Sequence, residues 1–455
     1  MRRLFGSIFC LCLLATPLPA KAAKALDRNT FKWRAGENKV EADLTAFPLE
    51  KVLTRIRLAT GWQVMVEPNT GARISTRFTN VTGAEALRLL LGGLNYAVVP
   101  QADGGRKLLV YRTSVQAATQ SVSVPKDLIL NELVVTLDPN SKETIEALAE
   151  KLGAKILGRA DDQKSYRLGF EDAKATAKAV SELEKDPNIA SAENNYTVHH
   201  PDVPPNVTGT AGGSYALTPV GDGKHTIISL IDTPVQAVPA DMAQFLLDPI
   251  HVAGAVDGTS KDLLHGTAMA ETVLHGLTLS AEGGTSTVRI LPIDVYGNNP
   301  TTTSFDVARG IRAGLANGSQ IMVMSLGGDG ESDFLAQAVF EAEQRGAVIV
   351  AAAGNQPTGR PVFPAAFEGV VGVTAIDQNG TIASYANTGS FVSAAGPGIS
   401  IVQYDGSRYM VTGTSSSTAF LGGAAAGFWS SSSGSTPKTA DEVRAYLKGA
   451  FPVPK

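Results

Sequence analysis

Apolar residues Leu49, Val52, Leu53, Ile56 and Ala59 recur at helical spacing, with Pro48 placed to open the helix and Gly61 to end it. Short β-rich runs follow at residues 63–66 and 74–78, then a second helical pattern over residues 84–91. The runs at 96–99 and 107–111 flank Asp103-Gly104-Gly105, a hairpin signal. Residues 30–113 therefore predict a small α+β module, and it carries no cluster of catalytic side chains.

A second set of elements spans residues 126–200. Residues 133–137 alternate as a strand, 142–152 form an amphipathic helix, and 154–157 and 166–170 are strand-like. A helix at 173–184 and a strand at 189–193 complete the order β, α, β, β, α, β, which predicts two helices on one face of an antiparallel sheet. From residue 221 the pattern changes. Continuous apolar runs at 225–231, 288–295, 321–326, 348–353 and 370–375 alternate with helical patterns at 305–316, 333–345 and after Ser415. Strands buried on both faces with helices between them predict an α/β fold with a doubly wound, mostly parallel sheet over residues 221–455. Functional residues then belong at the carboxyl ends of strands or at the helix starts that follow.

A chain of 455 residues accommodates two to four domains at about 100–200 residues each. Pro201, Pro204 and Pro205 precede Gly209, Gly212 and Gly213, a composition that suits an exposed linker over residues 201–220. Charge divides at the same place: residues 201–455 hold 21 acidic and 12 basic residues, whereas 26–200 hold 22 and 23. The overall net charge of −4 and 44% hydrophobic content argue against a dedicated nucleic-acid binder and against a disordered chain. Both cysteines, Cys10 and Cys12, fall in residues 1–25, which read as a secretory signal: Arg2 and Arg3, an apolar run to Pro17, then small residues at Ala20, Ala22, Ala23 and Ala25. Cleavage there leaves an exported chain without thiols, so disulfides, a catalytic cysteine and a zinc-thiolate site are excluded. Ile8-Phe9 before Cys10 does not fit a lipoprotein signal, and no later stretch reaches the roughly 18 apolar residues of a membrane helix.

Four residues meet the positional expectation. Asp232 ends the run from Thr226, His265 opens His265-Gly266-Thr267-Ala268 at a helix start, Asn355 follows Ala351-Ala352-Ala353-Gly354, and Ser415 lies in Thr412-Gly413-Thr414-Ser415 ahead of a helix rich in Ala and Gly. A serine hydroxyl is a weak nucleophile until an imidazole can take its proton, and a carboxylate holds that imidazole's tautomer and stabilises its charge. An asparagine amide with the serine's own N–H can hold the oxyanion of a tetrahedral intermediate.

These residues resemble those of the subtilisin-like serine proteases, the subtilases, and the resemblance covers residues 221–455. The chain order Asp, His, Ser is the subtilisin order, with separations of 33, 90 and 60 residues from Asp232 through His265 and Asn355 to Ser415. Met324-Ser325-Leu326-Gly327-Gly328 looks like the edge strand that pairs with extended substrate. Ser325, Leu326 and Gly327 with Ala353 and Gly354 are then substrate-binding residues, and their small, uncharged character implies a preference for apolar side chains before the cut. Phe363-Pro364-Ala365-Ala366 resembles the stretch beyond the specificity pocket, residues 385–398 a turn ending in Pro-Gly, and Thr439-Ala440-Asp441-Glu442 a capping box opening a last helix to about Lys448. Residues 126–200 resemble the subtilase propeptide, above all Asp186-Pro187 to Ala190-Ser191-Ala192-Glu193-Asn194. In that family this domain assists folding and inhibits, with its C-terminal end in the active-site cleft. Residues 30–113 resemble the short N-terminal domain of secretins and TonB-dependent transducers, on residues 44–53, Ala59-Thr60-Gly61, residues 80–90 and Leu94-Asn95-Tyr96. That resemblance implies a protein-interaction domain, a secretin or TonB-system partner, and a periplasmic location; a secreted protein is the alternative.

The departures from the subtilase pattern are Pro234, Ala268, Glu271, Ala419 and Phe420, which put loop geometry, specificity and rate in question but remove no triad member. No cofactor is called for. The histidines do not form an obvious metal site, and calcium, a common structural ion in subtilases, has no acidic loop here that identifies it. Two functions follow: an exported endopeptidase acting on protein or peptide substrates, autoprocessed between about Asn194 and Gly223, or an envelope scaffold whose protease domain is degenerate or cuts only itself.

Overall fold

The computed structural model describes residues 30–454 except 103, 202–205, 208–216, 222–224, 257–259, 280, 282–283 and 432–437. The segment expected to be a signal peptide and most of the expected linker lie outside the described residues. By internal contacts the chain divides between Val124 and Pro125.

In the first unit the helix Leu49–Thr60 starts after Pro48 and ends at Gly61, whose φ of 69° is the left-handed conformation that glycine adopts without strain. Its buried stripe of Leu49, Val52, Leu53 and Ile56 packs with Trp33, Val40, Leu44, Leu87 and Leu90. The strands Asn95–Pro100 and Arg106–Tyr111 pair antiparallel, as the Asp-Gly-Gly signal requires. Two strands were not anticipated. Lys39–Pro48 shows the period-two burial of Val40, Ala42 and Leu44, and Thr30–Arg34 pairs along it. The unit also runs past the expected boundary at 113: Gln120–Ser121 joins the sheet beside Gln63–Val66, and Val122 is buried in the core.

In the second unit, residues 125–200 form the expected order of Leu128–Leu137, helix Ile145–Leu152, Lys155–Ala160, Ser165–Gly169, helix Ala173–Leu183 and Ile189–Val198. Thr144 and Asp172 cap the two helices through their side chains, which accept from Ala147 N and Ala175 N. The last strand is twice its expected length. It continues beyond its own sheet to pair with Thr302–Thr303 of the larger domain.

That larger domain is built on a seven-stranded parallel sheet in the order Ile250–His251, Val288–Asp294, Thr226–Asp232, Ile321–Met324, Val348–Ala352, Val371–Ile376, Val392–Pro397. Successive strand side chains face opposite layers: Ile228, Leu230 and Val323 pack with the helices His265–Leu277 and Thr414–Ser430, whereas Ile231, Met322 and Met324 pack with Ser304–Ala316 and Asp333–Gln344. The strand Val392–Pro397 runs through the segment expected to be a turn, and Ile399–Tyr404 and Ser407–Thr412 form a hairpin the apolar pattern did not reveal. The helix Thr414–Ser430 is buried on nearly every side, which its small residues permit. A Cβ on Gly423 would lie 1.9 Å from the carbonyl oxygen of Val273, and one on Gly276 1.9 Å from that of Phe420, so the two helices meet backbone to backbone. The sheet order reverses on either side of Thr226–Asp232, which puts Asp232 at the topological switch point.

Candidate active site

Asp232 is the last residue of its strand and His265 the first of its helix, and both are fully buried. His265 Nδ1 lies 2.7 Å from Asp232 Oδ1, which also accepts the N–H of Thr233 at 2.7 Å. The helix start is held in place from the loop after Asp232. Thr233 Oγ1 accepts from Gly266 N at 2.7 Å, Gln236 Oε1 accepts from Leu264 N at 2.8 Å, and Gln236 N donates to Thr267 Oγ1 at 2.9 Å. Sequence reasoning missed Thr233, Gln236 and Thr267; the only signal was their nearness to Asp232 and His265. Pro234 sits inside this loop without interrupting any of these bonds.

Ser415 is the second residue of the helix Thr414–Ser430, where backbone N–H groups have no intrahelical partner. Its hydroxyl donates to the carbonyl of Ser325 at 3.1 Å, and Ser325 Oγ donates to the Ser415 carbonyl at 3.0 Å. Asn355 Oδ1 accepts from Thr414 N at 2.9 Å and Thr414 Oγ1 at 3.0 Å, an orientation that leaves the Nδ2 donors beside Gly413 and the helix start. Asp232 and His265 thus meet through one hydrogen bond, and Asn355 meets the start of the helix that carries Ser415, each group standing at its own strand end or helix start.

Just beyond the strand Ile321–Met324, Gly327 exchanges two backbone hydrogen bonds with His199, at 2.9 and 3.0 Å. The chain segment up to His199 therefore lies as an added strand between Thr302–Thr303 and Gly327. Val198 is buried with Leu326, Val307 and Leu335. The His200 ring lies over His265 at 5.1 Å between centroids and meets the Tyr296 ring edge-on at 4.9 Å. Tyr296 is a further residue missed in the sequence; burial and the Asp232 charge hold its phenol well above the usual range. Ala353 and Gly354 take part differently from Ser325, Leu326 and Gly327. Their backbone groups bond to Val373, Asn387 and Thr414, and a Cβ on either Gly327 or Gly354 would approach Val362, which stands between them as a wall.

The other atypical residues have packing or hydrogen-bonding partners of their own. Ala268 and Ala419 are core, Phe420 packs against Phe451, and the buried Glu271 accepts the N–H of Gln403 through Oε2 at 2.9 Å, pinning the hairpin beside it. Among the described residues no three His, Cys, Asp or Glu side chains converge on a point that could hold a metal ion.

A doubly wound parallel sheet that presents Asp, His and Ser in that chain order is the architecture of subtilisin-like serine endopeptidases. Residues 223–451 match the subtilase family model of peptidase S8, half of the chain, and the protein belongs to that family. Residues 114–195 match the fervidolysin N-terminal prodomain. The chain is 28% identical over 263 residues to the thermostable alkaline protease of Halalkalibacterium halodurans, covering 56% of this chain and 70% of that one. It is 32% identical over 217 residues to thermitase of Thermoactinomyces vulgaris, covering 45% and 75%. The solved structure of fervidolysin from Fervidobacterium pennivorans superposes with a TM-score of 0.51 at 19% identity, over 66% of this chain and 55% of that one, which is a likeness of fold. The protein is a serine endopeptidase with a prodomain.

Proposed function

We propose that Ser415 is the nucleophile, His265 the general base and then acid, Asp232 the group that orients His265, and Asn355 with the Ser415 N–H the oxyanion donors. Ser415 Oγ adds to a peptide carbonyl while its proton passes to His265 Nε2. The C–N bond breaks, that proton leaves on the amine, and water then hydrolyses the Ser415 ester by the same route in reverse roles. The 2.7 Å contact of Asp232 with Nδ1 supports the role of Nε2 as the atom that exchanges the proton.

The observation that carries this reading is the protein's own segment in the cleft: His199 is paired as a strand with Gly327 while the His200 ring covers His265. A chain that lies there as substrate lies is a chain awaiting a cut, and we infer autoprocessing between Asn194 and Gly223. Small residues around Gly327 and Gly354, with Val362 between them, support a preference for apolar side chains before the cut. Cleavage profiling on a peptide library tests that preference, and strict cutting after Lys or Arg would reject it.

The wider reading is an exported, periplasmic protease. The charged start, apolar run and small-residue end of residues 1–25 support export, and the module at residues 30–113 supports docking on an envelope protein of the secretin or TonB kind. Capture by the isolated module, with its C-terminal strand to Val122 included, tests the docking. Fluorophosphonate labelling of the wild type and of Ser415→Ala tests the catalytic reading: label on the wild type alone establishes the nucleophile.

A further inference from the structure

In an antiparallel ladder, pairs that exchange both backbone hydrogen bonds recur at every second residue. His199 and Gly327 form such a pair as an isolated bridge, and continuing its register by two residues would set residue 201 opposite Ser325. An ordinary residue there would donate its N–H to the Ser325 carbonyl. Residue 201 is a proline and has no N–H.

The Ser325 carbonyl is taken instead by the hydroxyl of Ser415, at 3.1 Å. Ser325 Oγ closes the loop by donating to the Ser415 carbonyl. The hydroxyl is thereby turned from its base, and His265 Nε2 is buried with no hydrogen-bond partner. The other half of the reacting pair is turned away as well. The Pro201 carbonyl oxygen lies 2.8 Å from His200 Nδ1, in the ring that lies tilted over His265, so the protein's own imidazole holds the oxygen that Asn355 and the Ser415 N–H would bind in a reacting chain.

We propose that His200 and Pro201 together are a brake on self-cleavage, which keeps the nucleophile on Ser325 and the Pro201 carbonyl, the target of the cut, on His200. The proposal rests on the catalytic reading given above and adds to it the bond to be cut and the reason the cut is slow. Release of the brake moves the Ser415 proton to His265 Nε2 as Oγ bonds to the Pro201 carbonyl carbon. The bond to the nitrogen of residue 202 then breaks, that nitrogen takes the proton, and water later frees the Pro201 carboxylate.

The test follows the survival of the purified full-length protein with time, with mass spectrometry of the new N-terminus, for wild type, Pro201→Ala and His200→Ala. Restoring the N–H in Pro201→Ala is expected to speed conversion about tenfold, the worth of one hydrogen bond at a reacting centre, and to yield a fragment beginning at Asp202. His200→Ala is expected to speed it in the same direction, and Pro201→Ala combined with Ser415→Ala to remain intact. Fluorophosphonate labelling of every sample, after an unrelated protease has opened the linker, separates the two possible failures. Labelled samples in which Pro201→Ala converts no faster than wild type, or starts at another residue, overturn the brake and leave the protease reading standing. Absence of label in all samples overturns both.

Discussion

Asp127 and Asp329 hold each other's backbone: Asp329 N donates to Asp127 Oδ2 at 2.7 Å, and Asp127 N donates to Asp329 Oδ1 at 3.1 Å. The reciprocal pair fastens the start of the prodomain to the loop just after Gly327 and Gly328. His199, 3.1 Å from Asp127 Oδ1, ties the tail in the cleft to the same clasp. Asp127→Ala leaves the N–H of Asp329 without its partner, a loss of about 1–3 kcal/mol. The expected result is faster separation of the cleaved prodomain, read by size-exclusion chromatography at successive times after processing.

Glu193 of the prodomain takes the position of an N-cap extension on the helix Asp333–Gln344, accepting from Ser332 Oγ at 2.7 Å and Phe334 N at 3.0 Å. Desolvation in the interface and the neighbouring Asp333 charge outweigh these donors and push its carboxyl from 4.5 up to about 8. The raised value means that docking favours the protonated form. The contribution of Glu193 is therefore full below about pH 4.5 and is lost as the pH rises toward 8. In the Ser415→Ala background, denaturant unfolding is expected to show less stability at pH 8.5 than at pH 5.5, and Glu193→Gln to flatten that difference. An equal slope in both proteins would remove Glu193 as its source.

Asp232→Asn keeps the volume at the strand end but exchanges an acceptor for a donor toward His265 Nδ1, favouring the wrong tautomer. The expected loss is about 10⁴ in kcat with KM little changed, measured on a peptide substrate with the prodomain removed.

Gly423→Ala adds one methyl group where the carbonyl oxygen of Val273 is 1.9 Å away. The helices His265–Leu277 and Thr414–Ser430, which carry His265 and Ser415, must separate to admit it. Destabilisation above about 3 kcal/mol is expected by denaturant unfolding in the Ser415→Ala background.

Much of the site was legible without coordinates because its chemistry sits where strand and helix patterns change. A run of apolar residues ending in Asp232, and a helix pattern opening at His265 or Ser415, are local signals that periodicity exposes. Thr233, Gln236, Tyr296 and Val362 were not legible. Each acts through a partner distant in the chain or through a backbone bond, and a single side chain of an ordinary type carries no mark of such a contact. The hairpin of Ile399–Tyr404 and Ser407–Thr412 was hidden for a different reason: its burial is mixed and its apolar alternation short.

Order and identity of the candidate reactive groups, the parallel sheet that carries them, and the prodomain's βαββαβ arrangement could be read from the sequence alone, since each depends on hydrophobic period and residue type along neighbouring positions. Tertiary structure alone decided where the prodomain's last strand goes. Its extension through Val198 and His199 to Pro201 becomes meaningful only against Thr302–Thr303 and Gly327, about 100 and 130 residues further along the chain. Edge-strand pairing is a contact between backbones, nearly blind to side-chain type, so no local pattern announces it. Pro201 was visible from the start as part of a linker; that the residue two before it pairs with Gly327 is a consequence of register, and register exists only once the two strands have met.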